Sequence, residues 1–160
     1  MKGTTILSTF IGTVAGAIGG AAVAGNTMGK SIKQWKALSD KHLSLFLLMN
    51  EWMKTKQEGK EIADFFKQEE YNTVAIYGMS YVGERVYDEL KGAGIDVKYA
   101  IDRNAATIYS DIPLYTPEDD LPEVDVIVVT AVAFYEEIRD MLSERVEIPI
   151  VSFEDILYEI

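Results

Sequence analysis

The chain has 160 residues and no cysteine, which excludes a disulfide framework, a thiolate metal centre and a cysteine nucleophile. Histidine is almost missing too. His42 is the only one, and inside a helical pattern it reads as a surface or satisfied core residue rather than a ligand. Charge is absent between Lys2 and Lys30, and basic charge is sparse later: residues 61–160 carry seven basic and twenty-three acidic groups, residues 1–60 eight and three. The net charge of −11 therefore averages two parts of opposite sign. The acidic part repels phosphates, which argues against a nucleic-acid partner. A hydrophobic content of 48% excludes a disordered solvating chain, and the length suits one domain with an additional segment.

Residues 4–25 (TTILSTFIGTVAGAIGGAAVAG) would span a hydrocarbon core of about 30 Å as a helix rising about 1.5 Å per residue. Gly12, Gly16 and Gly20 recur every fourth residue, and Ala24 continues the ridge. Each glycine costs a helix about 1 kcal/mol relative to alanine, and close helix–helix approach would offset that cost. Residues 1–30 are thus expected to form a glycine-zipper helix that joins copies of the chain through Gly12, Gly16, Gly20 and Ala24. Three arrangements fit: a membrane span; a partial insertion or soluble oligomer core; and a signal peptide cleaved near Ala22-Val23-Ala24, although Lys2 and the start amine offer it little positive charge. Lys30, Lys33, Lys36 and Lys41 follow closely, which places the remainder on the cytoplasmic face of the membrane.

Residues 31–69 read as a helical connector. Ile32, Trp35, Leu38, Leu45, Leu48, Trp52 and Met53 recur at three- and four-residue steps. The nearly all-apolar stretch 43–49 is expected to be docked, with a break near Gly59 and a short amphipathic helix over 61–68. The lysines from 30 to 41 form either a basic strip for an anionic membrane or an ordinary solvated helix face.

Residues 70–160 change period. Short apolar runs at 73–77, 97–101, 125–130 and 148–152, with a weaker one near 113–115, alternate with helical spacing at 81–91, 134–142 and 153–158. Continuous apolar strands separated by helices indicate an α/β fold: a small doubly wound parallel sheet of about five strands, Rossmann-like. Thr116 and Ser152, each followed by acids, read as helix N-caps.

The chemistry of such a fold gathers where the first strand meets its helix. Gly78 to Gly83 (GMSYVG) matches G-x-G-x-x-G except for Ser80 at the middle glycine. The first glycine permits the tight turn, the middle one close approach to a pyrophosphate, and the third helix–strand packing. Asp102 stands where a ribose-binding carboxylate is expected. Gly78, Ser80, Tyr81, Gly83, Asp102, Arg103 and Thr130 form the candidate cofactor-binding set, with NAD or a nucleotide-sugar as the ligand type. Ser80 and Glu84 work against an anion there.

The segments KHLSLFLLMNEW, VAIYGMSYVGERVYDEL, VKYAIDRNA, VDVIVVT and PIVSFEDILYEI together resemble an orphan bacterial Rossmann-like domain family associated with cell-surface polysaccharide gene clusters. The resemblance covers residues 41–160 and leaves out the glycine-rich N-terminus. It implies a cytoplasmic dinucleotide- or nucleotide-sugar-binding fold, with no particular reaction.

Catalytic motifs fall short. GMSYV lacks the closing glycine of a nucleophile elbow, and His42 lies upstream of it rather than downstream. Tyr87 and Lys91 share the spacing of the short-chain dehydrogenase pair on the wrong helix. Glu118, Asp119 and Asp120 read as a cap rather than a metal site. The sequence therefore leads to a membrane-associated or self-assembling scaffold that displays a Rossmann-like domain without catalysis of its own. The alternative is a nucleotide-binding accessory subunit in cell-surface polysaccharide biosynthesis.

Overall fold

The computed structural model describes residues 4–160, with side chains from Ser31 onward. The chain divides into two compact units, Met1–Leu43 and Ser44–Ile160, and helix α1 (Thr4–Gln57) contributes residues to both. In the first unit the described side chains are exposed, among them Ile32, Trp35, Leu38 and Leu43. The side chains of Gly12, Gly16, Gly20 and Ala24, and of the whole candidate span 4–25, lie outside those described. Among the described residues no helix is long and apolar enough to cross a membrane.

The second unit is α/β. Its strands β1 (Thr73–Tyr77), β2 (Asp96–Ile101), β3 (Leu114–Tyr115), β4 (Val126–Val129) and β5 (Ile150–Ser152) form one sheet in the order β3-β2-β1-β4-β5. Every pairing is parallel. This order is compatible with a Rossmann-like fold. β1 and β4 are apolar over nearly every position because both faces of the sheet are covered.

The two faces are covered unequally. Val74, Ile76, Val126 and Val128 meet residues of α2 (Ile62–Gln68), α3 (Tyr81–Gly92), α5 (Phe153–Glu159) and the end of α1. On the opposite face Ala75, Tyr77, Ile127 and Val129 meet Ile138 and Leu142 of α4 (Tyr135–Ser143), together with Leu121 and Val124 from the β3–β4 connection. The Tyr99 hydroxyl donates to the Pro122 carbonyl at 2.7 Å and so fastens that connection where a helix would otherwise lie. At the opposite end of β1, Asp125 accepts from the Asn72 and Thr73 amides at 2.8 and 2.7 Å. These bonds hold its carboxyl below the usual carboxylate range.

Two expectations need correction. No helix follows Thr116. The Asp119 carboxylate accepts from the Thr116 amide and hydroxyl at 2.6 and 2.9 Å, closing a turn, and Pro122 disfavours helical geometry at Leu121, leaving less than two turns for a helix. Ser152, by contrast, caps α5 by accepting from the Glu154 amide at 3.2 Å. The apolar stretch 43–49 is not docked all round. Leu48 is buried and Leu45 half-buried against the core, while Leu43, Phe46, Leu47 and Met49 are exposed, since one helix face alone can meet the sheet-covering layer.

The end of α1 belongs to the core of the second unit rather than to a separate connector. Trp52 stands edge-on to Phe153, with ring centroids 4.7 Å apart. Its indole N–H donates to Glu89 Oε2 at 3.2 Å. Glu89 Oε1 accepts from the Ile62 amide at 3.0 Å and pairs with Lys56 at 2.7 Å. One carboxylate, with its side chain 11% exposed, thus joins α1, α2 and α3. Glu89→Ala strands the indole and amide donors and should lower the unfolding free energy by about 1–3 kcal/mol. Glu89→Gln, which keeps one acceptor oxygen, should cost less; denaturant titration of both variants measures the difference.

Candidate functional site

The β1 sequence TVAIY packs from both faces and must then leave the sheet. It does so at Gly78, whose φ of +98° is a conformation that L side chains rarely adopt. The Gly78 amide still donates to the Ile101 carbonyl at 2.8 Å, so the turn begins in register with β2. A Cβ on Gly78 would stand 2.9 Å from Thr130 Oγ1, and a Cβ on Gly83 would stand 2.1 Å from the Gly78 carbonyl oxygen. The two glycines present thus serve the turn and the helix–strand contact expected of them.

The loop is braced from both neighbouring strands. From the end of β2, Asp102 Oδ2 accepts from the Met79 amide at 3.0 Å, and its Oδ1 accepts from the Asn104 amide at 2.8 Å. From the end of β4, the buried Thr130 hydroxyl donates to the Gly78 carbonyl at 2.6 Å, with the Tyr77 carbonyl 3.1 Å away. Two members of the candidate set therefore hold the loop itself. Each Asp102 oxygen retains one lone-pair direction, whereas Thr130 is closed off from solvent.

Ser80 is exposed and precedes α3 in extended geometry without a side-chain cap bond. The first intrahelical donor is the Glu84 amide, to the Ser80 carbonyl at 2.9 Å. The amides of Tyr81, Val82 and Gly83 consequently have no acceptor within the helix. Tyr81 is 82% exposed beside them, and Glu84 adds a carboxylate to the same turn. Arg103 is exposed and pairs with Glu137 of α4 at 3.0 Å, a contact that raises its pKa. The structure thus brings Gly78, Ser80, Tyr81, Gly83, Asp102 and Thr130 to the carboxyl end of β1, while Arg103 is engaged by α4.

Sequence reasoning missed two features of this edge. The Tyr77 hydroxyl is buried on the α4 face without a hydrogen-bond partner; burial raises its pKa, and nearby Arg103 opposes the shift. A cleft of about 480 Å³ opens beyond β4 and β5, lined by residues 132–137, Ser152, Glu154 and Asp155. Four of its lining residues are acids. Glu136-Glu137 and Glu154-Asp155 each open a helix that follows a parallel strand, so the strand order alone would have placed both pairs at one sheet edge. Among the described residues no histidine, aspartate or glutamate cluster is arranged to hold a metal. Tyr87 and Lys91 form a cation–π contact on α3, with the ammonium 5.2 Å from the ring centroid.

What fold and site define is an α/β domain whose all-parallel sheet ends in a braced glycine turn next to a helix N-terminus. No protein-family model, curated protein or solved structure matches the chain.

The glycine contact makes a direct prediction. In Gly83→Ala the new methyl meets the Gly78 backbone carbonyl, so the unfolding free energy should fall by about 3 kcal/mol or more. Gly92→Ala has open space around it and should be near neutral. Thermal unfolding of the pair provides the test, and equal stability of the two variants contradicts the packing argument.

Proposed function

We propose that the protein is a membrane-associated or self-assembling scaffold. Its N-terminal glycine-zipper helix holds it, and a Rossmann-like domain is displayed on the cytoplasmic side with no catalytic activity of its own. The observation that carries this reading is the exposure of Ile32, Trp35, Leu38 and Leu43 in the first unit: these are apolar side chains that no described residue covers and that association would bury. The opposite charge of the two chain halves supports it, since the acidic part keeps the displayed domain soluble and off anionic lipid. In Gly16→Leu a bulky side chain would hold the helices apart. Light scattering of the purified full-length protein should then show a several-fold smaller particle; an unchanged mass counts decisively against the assembly.

A second reading is favoured by the three amides of the first turn of α3, which have no acceptor within the helix. In it the protein is an accessory subunit of cell-surface polysaccharide biosynthesis that binds NAD or a nucleotide-sugar. Backbone N–H groups at a helix N-terminus attract phosphate. Gly78 and Gly83 would shape the turn, Ser80 and Tyr81 would border the phosphates, and the free lone pairs of Asp102 would meet a ribose. The family resemblance supplies the biosynthetic context. A ligand held at a hundred times its dissociation constant should add about 2.7 kcal/mol of stability, read as a thermal shift with NAD or a UDP-sugar. Ser80→Asp, an exposed change, should abolish that shift by repelling the phosphates. Absence of a shift with either ligand, or its survival in Ser80→Asp, removes this reading.

A further inference from the structure

We infer that residues 31–43 form a surface helix that lies along an anionic lipid bilayer. The inference rests on the membrane-associated form of the scaffold reading in which the N-terminal segment inserts partly and does not span, since α1 continues unbroken from Thr4 to Gln57, and it specifies what this stretch of the chain touches. At about 100° per residue, Ile32, Trp35, Leu38 and Leu43 fall within one arc of about 140°, together with the uncharged Ser39 and His42. Lys33 and Lys41 occupy the opposite side, and Lys36 flanks the arc about 20° beyond Leu43. Ile32 is 65% and Trp35 71% exposed. Nothing else in the first unit's described side chains covers the apolar arc.

Charge selects the occupant. Asp40 is the only acid between residues 31 and 43, against three lysines, and Lys30 adjoins them. A second copy laid along the arc would bring the same basic excess, with no row of acids at the edges to pair with it. A bilayer containing anionic lipid supplies both requirements, an acyl boundary for the arc and negative headgroups for the lysines. Trp35 suits the boundary as well, since its indole is apolar with one polar N–H.

The two tryptophans make the inference measurable. Trp35 is exposed, whereas Trp52 is 6% exposed within the second unit's core, so changes in emission or in acrylamide quenching report chiefly on Trp35. The experiment uses full-length protein mixed with vesicles of phosphatidylcholine, with or without one quarter phosphatidylglycerol, and flotation records attachment separately. On the anionic vesicles Trp35 should shift to the blue, lose accessibility to acrylamide and be quenched by brominated acyl chains. Trp35→Phe should remove all three changes. Lys33→Gln with Lys36→Gln should lower the docked-to-undocked ratio of the segment about thirtyfold. If the protein floats while Trp35 stays open to acrylamide, the inference is overturned and the membrane-associated reading stands. Equal protection on neutral vesicles refutes the role of charge, and with it the inference. Protection that grows with protein concentration in the absence of vesicles assigns the arc to a second copy instead. Failure to float with either vesicle removes both the inference and the membrane reading on which it rests.

Discussion

The contact between the first turn of α3 and the carboxyl end of β1 governs the architecture of the second unit. Gly83 lies so close to the Gly78 carbonyl that a single added carbon would stand 2.1 Å from its oxygen. That proximity seats α3 directly on the sheet, which allows Val82, Val86 and Leu90 to reach the core. It also fixes where the loop must run, and the two neighbouring strands close on it: Asp102 through the Met79 amide, Thr130 through the Gly78 carbonyl. A tight turn at positive φ would be a weak point if it depended on Gly78 alone. With braces from β2 and β4 it becomes the most constrained part of the sheet edge.

The same economy of contacts explains how the N-terminal helix enters the domain. Leu48 and Trp52 are buried with the residues of α2, α3 and α5, and Glu89 supplies acceptors for the indole and for the first amide of α2. The stretch from Ser44 to Gln57 is therefore part of the fold and not a linker to it. Only one side of this stretch is used. Phe46, Leu47 and Met53 remain exposed, because a helix packed on a sheet-covering layer turns about half its surface to solvent.

Much of the second unit was legible because its signals are local and repeated. Each apolar strand run is followed by a helical period or a turn, and the Gly78–Gly83 spacing identifies the junction of β1 and α3. Strand ends moved by one or two residues, and β5 begins at Ile150 rather than 148 because pairing with β4 starts only at Ile127. The helix after Thr116 was misread because a capping pattern specifies a first turn, not its continuation, and Pro122 decides the latter. Which face of 43–49 docks could not be read from a stretch apolar on all sides; it depends on partners far along the chain, Phe153 among them. The roles of Asp102 and Thr130 were hidden for the same reason. A side chain at a strand end can face a ligand or its own loop, and the choice is made by a neighbour some fifty residues away in the case of Thr130.

The bracing of the loop bears on what this sheet edge can offer a ligand. Thr130 has given its only proton to the backbone, and Asp102 has both oxygens engaged, each with one lone-pair direction left. Arg85, the cation nearest the turn in sequence, pairs with Asp88 and Glu84, and Arg103 is held by Glu137. The donors left at the edge without an acceptor in the helix are the first backbone amides of α3, with the Glu84 carboxylate in the same turn. Beyond β4 and β5 the cleft is lined by Glu136, Glu137, Glu154 and Asp155. An anion meeting this edge finds a few fixed dipoles beside several carboxylates, and Coulomb repulsion is stronger at a partly desolvated surface than in bulk water. The positive charge that would compensate lies instead among residues 30–41. The distribution that makes the domain a poor electrostatic trap for phosphates is the same one that leaves the N-terminal helix suited to an anionic surface.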